Sequence, residues 1–309
     1  MLDSMPEGAG APQKKFPKSL KELTPAEHFS PGKFFNEMVL KTWLRQRKGQ
    51  KRAPAFPKLK AGEVALTWIG HASFLVQFPG LNILIDPNFA NWLFLIKRLK
   101  HSGFSLNDLP PVDLVLLTHA HFDHLNKATL RRLPSSKVGV MPWGVGKLTK
   151  RLGFSRVLEL KWWESFSGRD WSVTLVPAKH WGARYLRDLQ RGYGGFVISS
   201  QGRTVYHAGD TAYFDGFAEI GRIYRPEIAL LPIGACQPES FRKVHMGPDE
   251  SLKAFRELKA KWLVPMHYGS FKLGFEDIDE PPRWLRDLAR SHGLSHHMRF
   301  LEEGRPVVF

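Results

Sequence analysis

Thr118-His119-Ala120-His121-Phe122-Asp123-His124 stands directly behind a short, nearly all-apolar run, Val112 to Leu117. Such a run reads as a central strand. Four side chains of metal-ligating type, His119, His121, Asp123 and His124, then fall within six positions. If the chain leaves the sheet at Thr118, His119 and His121 converge on one point while Asp123 and His124 serve a second. Burying several imidazoles without a cation or other partner is costly. The string therefore predicts a metal site at a strand end.

The remaining ligands are expected at later strand ends, where open layered sheets place their sites. His180 follows the apolar run Trp171 to Val176, Asp210 follows Thr204 to His207, and His267 follows Trp262 to Pro265. With the first string they make five histidines and two aspartates. Imidazole and carboxylate without thiolate suit borderline divalent ions, Zn2+ first, with Mn2+ or Fe as alternatives. Seven ligands exceed what one ion needs, so two are expected, with Asp210 as the natural bridge. A metal pair activates water and polarises the group under attack, which is hydrolysis without an organic cofactor.

Around these ends, strands are expected at Val64 to Ile69, Phe74 to Phe78, Asn82 to Ile85, Gly195 to Ser199 and Ile228 to Leu231, the second and third joined at Pro79-Gly80. Helices are expected at Ala128 to Leu133, Val145 to Leu152, Asp249 to Lys259 and Pro281 to Ser291. Helices inserted between strands in both halves predict an α/β fold of two sheets with helices outside, an αββα four-layer sandwich. The domain is expected over 61–309. Residues 1–60 read as a basic, partly helical N-terminal extension: a tail over 1–22, one or two helices from Thr24 to Leu44 broken around Pro31-Gly32, and a basic linker over 45–60.

No apolar run approaches the roughly 20 residues that a membrane-spanning helix requires. The longest, Phe89 to Ile96, has eight and includes Asn91. Met1 to Pro12 lacks the pattern of a secretion signal, and one cysteine, Cys236, allows no internal disulfide, so the cytoplasm is the expected compartment. The net charge is +16, and residues 1–60 hold 13 basic against 5 acidic residues, half of that excess. Such a field favours anionic partners: nucleic acid, an acidic membrane surface met peripherally, or a phosphorylated small molecule or phospholipid.

The string His119-x-His121-x-Asp123-His124, followed in order by His180, Asp210 and His267, resembles the metallo-β-lactamase fold family. The resemblance implies that His119, His121 and His180 hold one metal, that Asp123, His124 and His267 hold the other, and that Asp210 bridges them. It also implies a bridging hydroxide as nucleophile, oriented and deprotonated with the help of Asp123, so Asp123 and Asp210 are the catalytic carboxylates. Trp68-Ile-Gly-His-Ala-Ser73, Pro177-Ala-Lys-His-Trp181, Ala208-Gly-Asp-Thr-Ala212, His245-Met-Gly-Pro248 and His267-Tyr-Gly-Ser270 are similar to the branch containing N-acylphosphatidylethanolamine-hydrolysing phospholipase D. Ascorbate-6-phosphate lactonase-type hydrolases resemble the chain more distantly.

Four further residues are candidates for contact with substrate or with the metal ligands: His71, His245, Trp181 and Tyr268. The stretch Phe89 to Lys100 sets an apolar patch beside three cations, the pattern of an interfacial segment; a helix packed on the core or on another subunit of a homo-oligomer is the competing reading. Cys236, with no histidine close in sequence, is expected to be buried and unreactive. The leading function is therefore a dinuclear phosphodiesterase of phospholipase D-like type. A lactonase or other ester or amide hydrolase uses the same ligands, and a non-catalytic nucleic-acid or membrane binding module is the alternative of another class.

Overall fold

A computed structural model of the chain describes residues 30–133, 137–184, 188 and 190–309. Its first sheet begins as a meander, β1 (Ala65–Gly70), β2 (Ser73–Phe78) and β3 (Leu81–Ile85), in which Pro79-Gly80 turns the chain so that Phe78 pairs with Leu81. A small separate hairpin, β4 (Trp92–Leu93) with β5 (Ile96–Lys97), follows. The first sheet then continues in parallel through β6 (Leu114–Leu116), β7 (Lys137–Pro142) and β8 (Phe154–Leu160).

The second sheet contains β9 (Ser165–Ser167), β10 (Trp171–Val176), β11 (Gly195–Ser200), β12 (Arg203–His207), β13 (Ile228–Pro232) and β14 (Trp262–Met266). Pairing is antiparallel from β9 to β12 and parallel from β12 to β14. The closing strand β15 (Val307–Val308) returns to β1 of the first sheet.

Alternation sorts the side chains of the first sheet. Phe74, Val76, Ile83, Ile85, Leu114 and Leu116 point into the core between the sheets, while Leu75, Leu84, Val115 and Leu117 point outward into a second apolar cluster. Each large side chain so buried contributes roughly 1.5–3 kcal/mol. Of the helices, α1 (Pro31–Phe35) and α2 (Lys41–Trp43) precede the sheets, joined by a π-helical turn at Asn36–Leu40. The outer cluster is covered by α3 (Lys127–Arg132), whose first turn is capped where Thr129 N–H donates to the Asn126 side chain at 2.8 Å. The second sheet is covered by α4 (Gly216–Tyr224), α5 (Pro248–Leu258) and α6 (Glu280–Ser291). Gly221 lets α4 meet α5 closely, since a Cβ there would lie 2.7 Å from the Glu257 carbonyl oxygen. The expected αββα layering is present, thin on the α3 side.

Several expectations change. Within the stretch from Thr24 to Leu44, Pro31 opens a helix, with Ser30 as its cap. The part of that stretch before Ser30, and the expected tail over 1–22, lie outside the described residues. Val145 to Leu152 forms one 3-10 turn, Gly146–Thr149, in place of a helix, with the Gly146 N–H donated to Glu159. Phe89 to Lys100 is an irregular segment carrying the β4–β5 hairpin and not a helix. Residues 45–60 are pinned to the domain by bridges Lys48↔Lys100 and Arg52↔Phe104 and by Phe56 packed on Phe104. Among the described residues no helix is long and apolar enough to cross a membrane.

Candidate metal centre

Strand direction gathers the site. β1, β3, β6, β10, β12 and β14 all finish at one rim, and the segments leaving them carry His71, Asp86, His119 to His124, His180, Asp210 and His267. Tight backbone keeps these segments short. His71, Asp86 and His267 adopt positive φ (59°, 43° and 60°), a strained state for such side chains that the surrounding structure must enforce. Before Asp210, Gly209 sits at φ 63° with only 2.9 Å between a hypothetical Cβ and the Gly194 carbonyl, so only glycine fits there.

All seven residues expected as ligands come together. One group contains His119, His121, His180 and Asp210; a second contains His71, Asp123, His124 and His267; within each, the ligand atoms lie within 4.8 Å of one another. In the first, His121 Nδ1 is 2.9 Å from His119 Nε2 and 3.2 Å from His180 Nε2, and Asp210 Oδ2 is 3.8 Å from both of those Nε2 atoms. A tetrahedral zinc site with bonds of about 2.05 Å has edges of about 3.3 Å, so the spacing fits. Asp210 also reaches the second group, through Oδ1 at 3.2 Å from His124 Nε2 and Oδ2 at 3.1 Å from His267 Nε2.

Three imidazoles are held by their other nitrogen. His119 Nδ1 donates to Thr118 Oγ1 at 2.9 Å, His124 Nδ1 to Asp86 Oδ2 at 2.7 Å, and His180 Nδ1 to the Val244 carbonyl at 2.8 Å. That fixes the tautomer and turns each Nε2 inward, the usual arrangement of metal-binding histidine. His124 Nε2, His267 Nε2 and Asp210 Oδ1 are buried without a hydrogen-bond partner, an arrangement that a cation satisfies. Arg184 clamps the His119–His124 loop by donating to the carbonyls of Ala120 and Leu125, both at 2.8 Å.

The electrostatics agree. Burial holds His119 and His180 well below the ordinary imidazole range and His121 at about 4, so they are neutral and able to ligate. Burial would raise Asp123 and Asp210, but His124 and His267 beside them hold both carboxyls well below the usual range, ionised. Burial likewise opposes charge on His124 and His267, and the carboxylates outweigh it, lifting His124 well above its ordinary value and His267 to about 9. The cluster therefore calls for positive charge between Asp123 and Asp210. Without metal, protons supply it.

The additional candidates separate. His71 Nε2 donates to Asp123 Oδ2 at 2.9 Å, and its ring lies 4.1 Å from that of His267. His245 Nδ1 approaches Asp210 Oδ2 at 3.8 Å, and burial holds this imidazole neutral, down to about 4. Trp181 sits edge-on to His121 at 4.4 Å, on the partly open side of the cluster. Tyr268 packs on Trp68 at 5.0 Å and lines a cavity beside His71 and His267. Cys236 is buried, and burial pushes its thiol up to about 12.

Asp86 escapes a reading by ligand type. Fully buried, it accepts Thr118 N–H at 2.8 Å and Thr118 Oγ1–H at 2.6 Å besides His124. Its signal was present: a polar residue just past an apolar strand, the pattern that marks Asp210 and His267.

The model of the β-lactamase superfamily domain matches residues 81–268. The N-acyl-phosphatidylethanolamine-hydrolyzing phospholipase D, mitochondrial, of Saccharomyces cerevisiae is 29% identical over 94% of this chain, which spans only 64% of that protein. A metal-dependent hydrolase of Methanopyrus kandleri is 34% identical over 77% of this chain and 97% of its own length. Among solved structures, a metallo hydrolase from Ignicoccus hospitalis matches with a TM-score of 0.63 and 29% identity, covering 80% of this chain and 98% of that one.

Proposed function

From the premise that this chain belongs to the β-lactamase superfamily and is a metal-dependent hydrolase, we propose that it is a dinuclear phosphodiesterase cleaving N-acylphosphatidylethanolamine or a related phospholipid in the manner of a phospholipase D. The observation that carries the reading is the position of Asp210, within 3.8 Å of ligand atoms from both groups. In this reading His119, His121 and His180 hold one Zn2+, Asp123, His124 and His267 hold the second, and Asp210 is shared. When bound, such a pair supplies Lewis acidity to a phosphoryl oxygen and makes water acidic enough to attack near neutral pH.

The chain's own groups do the rest. His71, His124 and His267 all approach Asp123 through Oδ2, which leaves Oδ1 to orient the attacking water and take its proton. Asp123 and His245 keep 12% and 16% of their side chains exposed, so both can meet a substrate. The neutral His245 imidazole can donate an N–H to a phosphoryl oxygen. Water then adds to phosphorus, the ester oxygen leaves with a proton, and phosphatidic acid and an N-acylethanolamine result. The name of the yeast relative supports the lipid substrate.

The test measures phosphatidic acid released from N-acylphosphatidylethanolamine in mixed micelles by mass spectrometry, with the His267→Ala protein alongside. Product from the native protein alone upholds the reading. No product from protein shown to carry its metals sinks the phospholipase assignment and directs attention to lactones and other esters.

A further inference from the structure

Seven of the ten exposed large apolar side chains among the described residues crowd into two short segments. Phe35, Leu40, Trp43 and Leu44 lie on the helical stretch from α1 through α2, and Trp92, Phe94 and Leu95 lie on the β4–β5 hairpin. Leu44 is 96% exposed and Phe94 70%. Single exposed apolar residues are ordinary, but a cluster of them marks a contact surface.

The two segments form one face. Trp43 meets Trp92 edge-on at 6.2 Å, and Trp43 Nε1 donates to the Leu95 carbonyl at 3.2 Å. Lys97 Nζ donates to the carbonyls of Trp43 and Arg45, at 2.7 and 2.8 Å, closing the end of α2. These bonds hold the apolar side chains outward.

The segment that carries most of this face is basic. Residues 31–60 carry nine basic side chains and one acidic one, Glu37, so the whole excess of the first 60 residues sits in this part. Lys41, Arg45 and Lys48 are half-exposed or more, and their ion pairs with Glu37, Asp277 and Asp279 are solvated surface contacts of little strength. We infer that this face, Phe35 to Leu44 with the Trp92–Lys97 hairpin, docks on an anionic bilayer, its aromatic and leucine side chains entering the interface and its lysines and arginines meeting lipid phosphates. A second copy joined face to face would bring two equally basic segments together.

The face adjoins the metal centre. Phe94 packs at 4.4 Å on Phe122, the residue between His121 and Asp123. A headgroup held at the bilayer surface thus arrives beside those two side chains. The docking does not depend on which bond the centre cleaves.

The test is cosedimentation of the metal-loaded full chain with vesicles free of any substrate. One set is phosphatidylcholine, the other phosphatidylcholine mixed with phosphatidylglycerol. Binding to the anionic set, released by salt and weakened about tenfold or more in Leu44→Ser/Phe94→Ser, upholds the assignment. Ile223→Ser on α4, also an exposed apolar site, must leave binding unchanged. Equal binding to both vesicle types, binding indifferent to the double substitution, or no binding overturns it. So does a homodimer that the double substitution splits without any vesicle binding, which would make a second copy the occupant. Because the vesicles hold no substrate, an inactive protein that binds and an active protein that does not are told apart.

Discussion

The metal-ligand cluster and the apolar face beside it meet at Phe122, yet they are built in opposite ways. In the cluster, polar side chains are buried and three imidazoles are fixed through their Nδ1 atoms, as Asp86 fixes His124 and the Val244 carbonyl fixes His180. On the face, apolar side chains are exposed, and the hydrogen bonds of Trp43 and Lys97 with the Phe94–Phe122 contact tie the two segments down. Burial decides what a substitution can do in each place. A change in the cluster removes charge balance among buried groups that solvent screens poorly, whereas a change on the face exchanges one solvated side chain for another.

The largest effect is expected at the shared carboxylate. Asp210→Asn keeps the shape but removes the charge that both ligand groups approach. Hydrolysis should fall at least about a thousandfold, and metal content measured by mass spectrometry should drop below that of the native protein. Undiminished activity would break the contrast and the dinuclear reading together.

Next is pH. In the metal-free protein His267 keeps its proton up to about 9, because Asp210 and Asp123 outweigh burial. An unfolded histidine titrates near 6.5. The folded value is the higher one, so this contribution is complete below pH 6.5 and is lost as pH rises through about 9. The metal-free protein should therefore lose about 1–3 kcal/mol of stability over that window, and the metal-loaded protein should not, since a cation replaces the proton. His71 and His245, held by burial at about 3 and 4, act on the other side. They weaken the fold as pH falls below 6.5. Urea titrations at pH 6.5 and 9, with and without metal, decide it; parallel losses in both forms would count against metal taking the proton's place.

A smaller effect tests the layer behind the ligands. Asp86→Asn leaves every direct ligand in place but weakens the hold on His124 Nδ1 and Thr118. Metal affinity, read by competition with a chelator, should weaken about 10–100-fold. An unchanged affinity would mean that the rim geometry alone orients His124.

What could be read in advance follows the same division. The ligands were legible because each is a polar residue just past an apolar strand, and β6, β10, β12 and β14 all end at one rim. Asp86 obeys that rule but precedes Pro87, so it reads as the end of the hairpin. β7 was not legible because Gly139 and Pro142 interrupt it, and β8 because it is a mostly exposed edge strand in which Arg156 and Glu159 spoil the apolar run. The hairpin at Trp92–Lys97 has no period to find: two residues per strand are too few for one, and its apolar side chains face solvent, so the pattern that burial imposes is missing.

The smallest effect belongs to that face and is the sharpest test of the contrast. Leu44 is 96% exposed in the folded chain, so burial on folding contributes almost nothing through it. Leu44→Ser should then shift the stability of the metal-loaded protein by no more than about 0.5 kcal/mol in urea unfolding. A leucine left in water gives no stability to lose, and its reason for being there must be sought in a contact made after folding. A loss of about 2 kcal/mol or more, the range of a buried leucine, would show that the side chain is covered in solution by the chain itself or by another copy. The face would then be part of a core, and its likeness to the buried clusters would replace the contrast drawn with them.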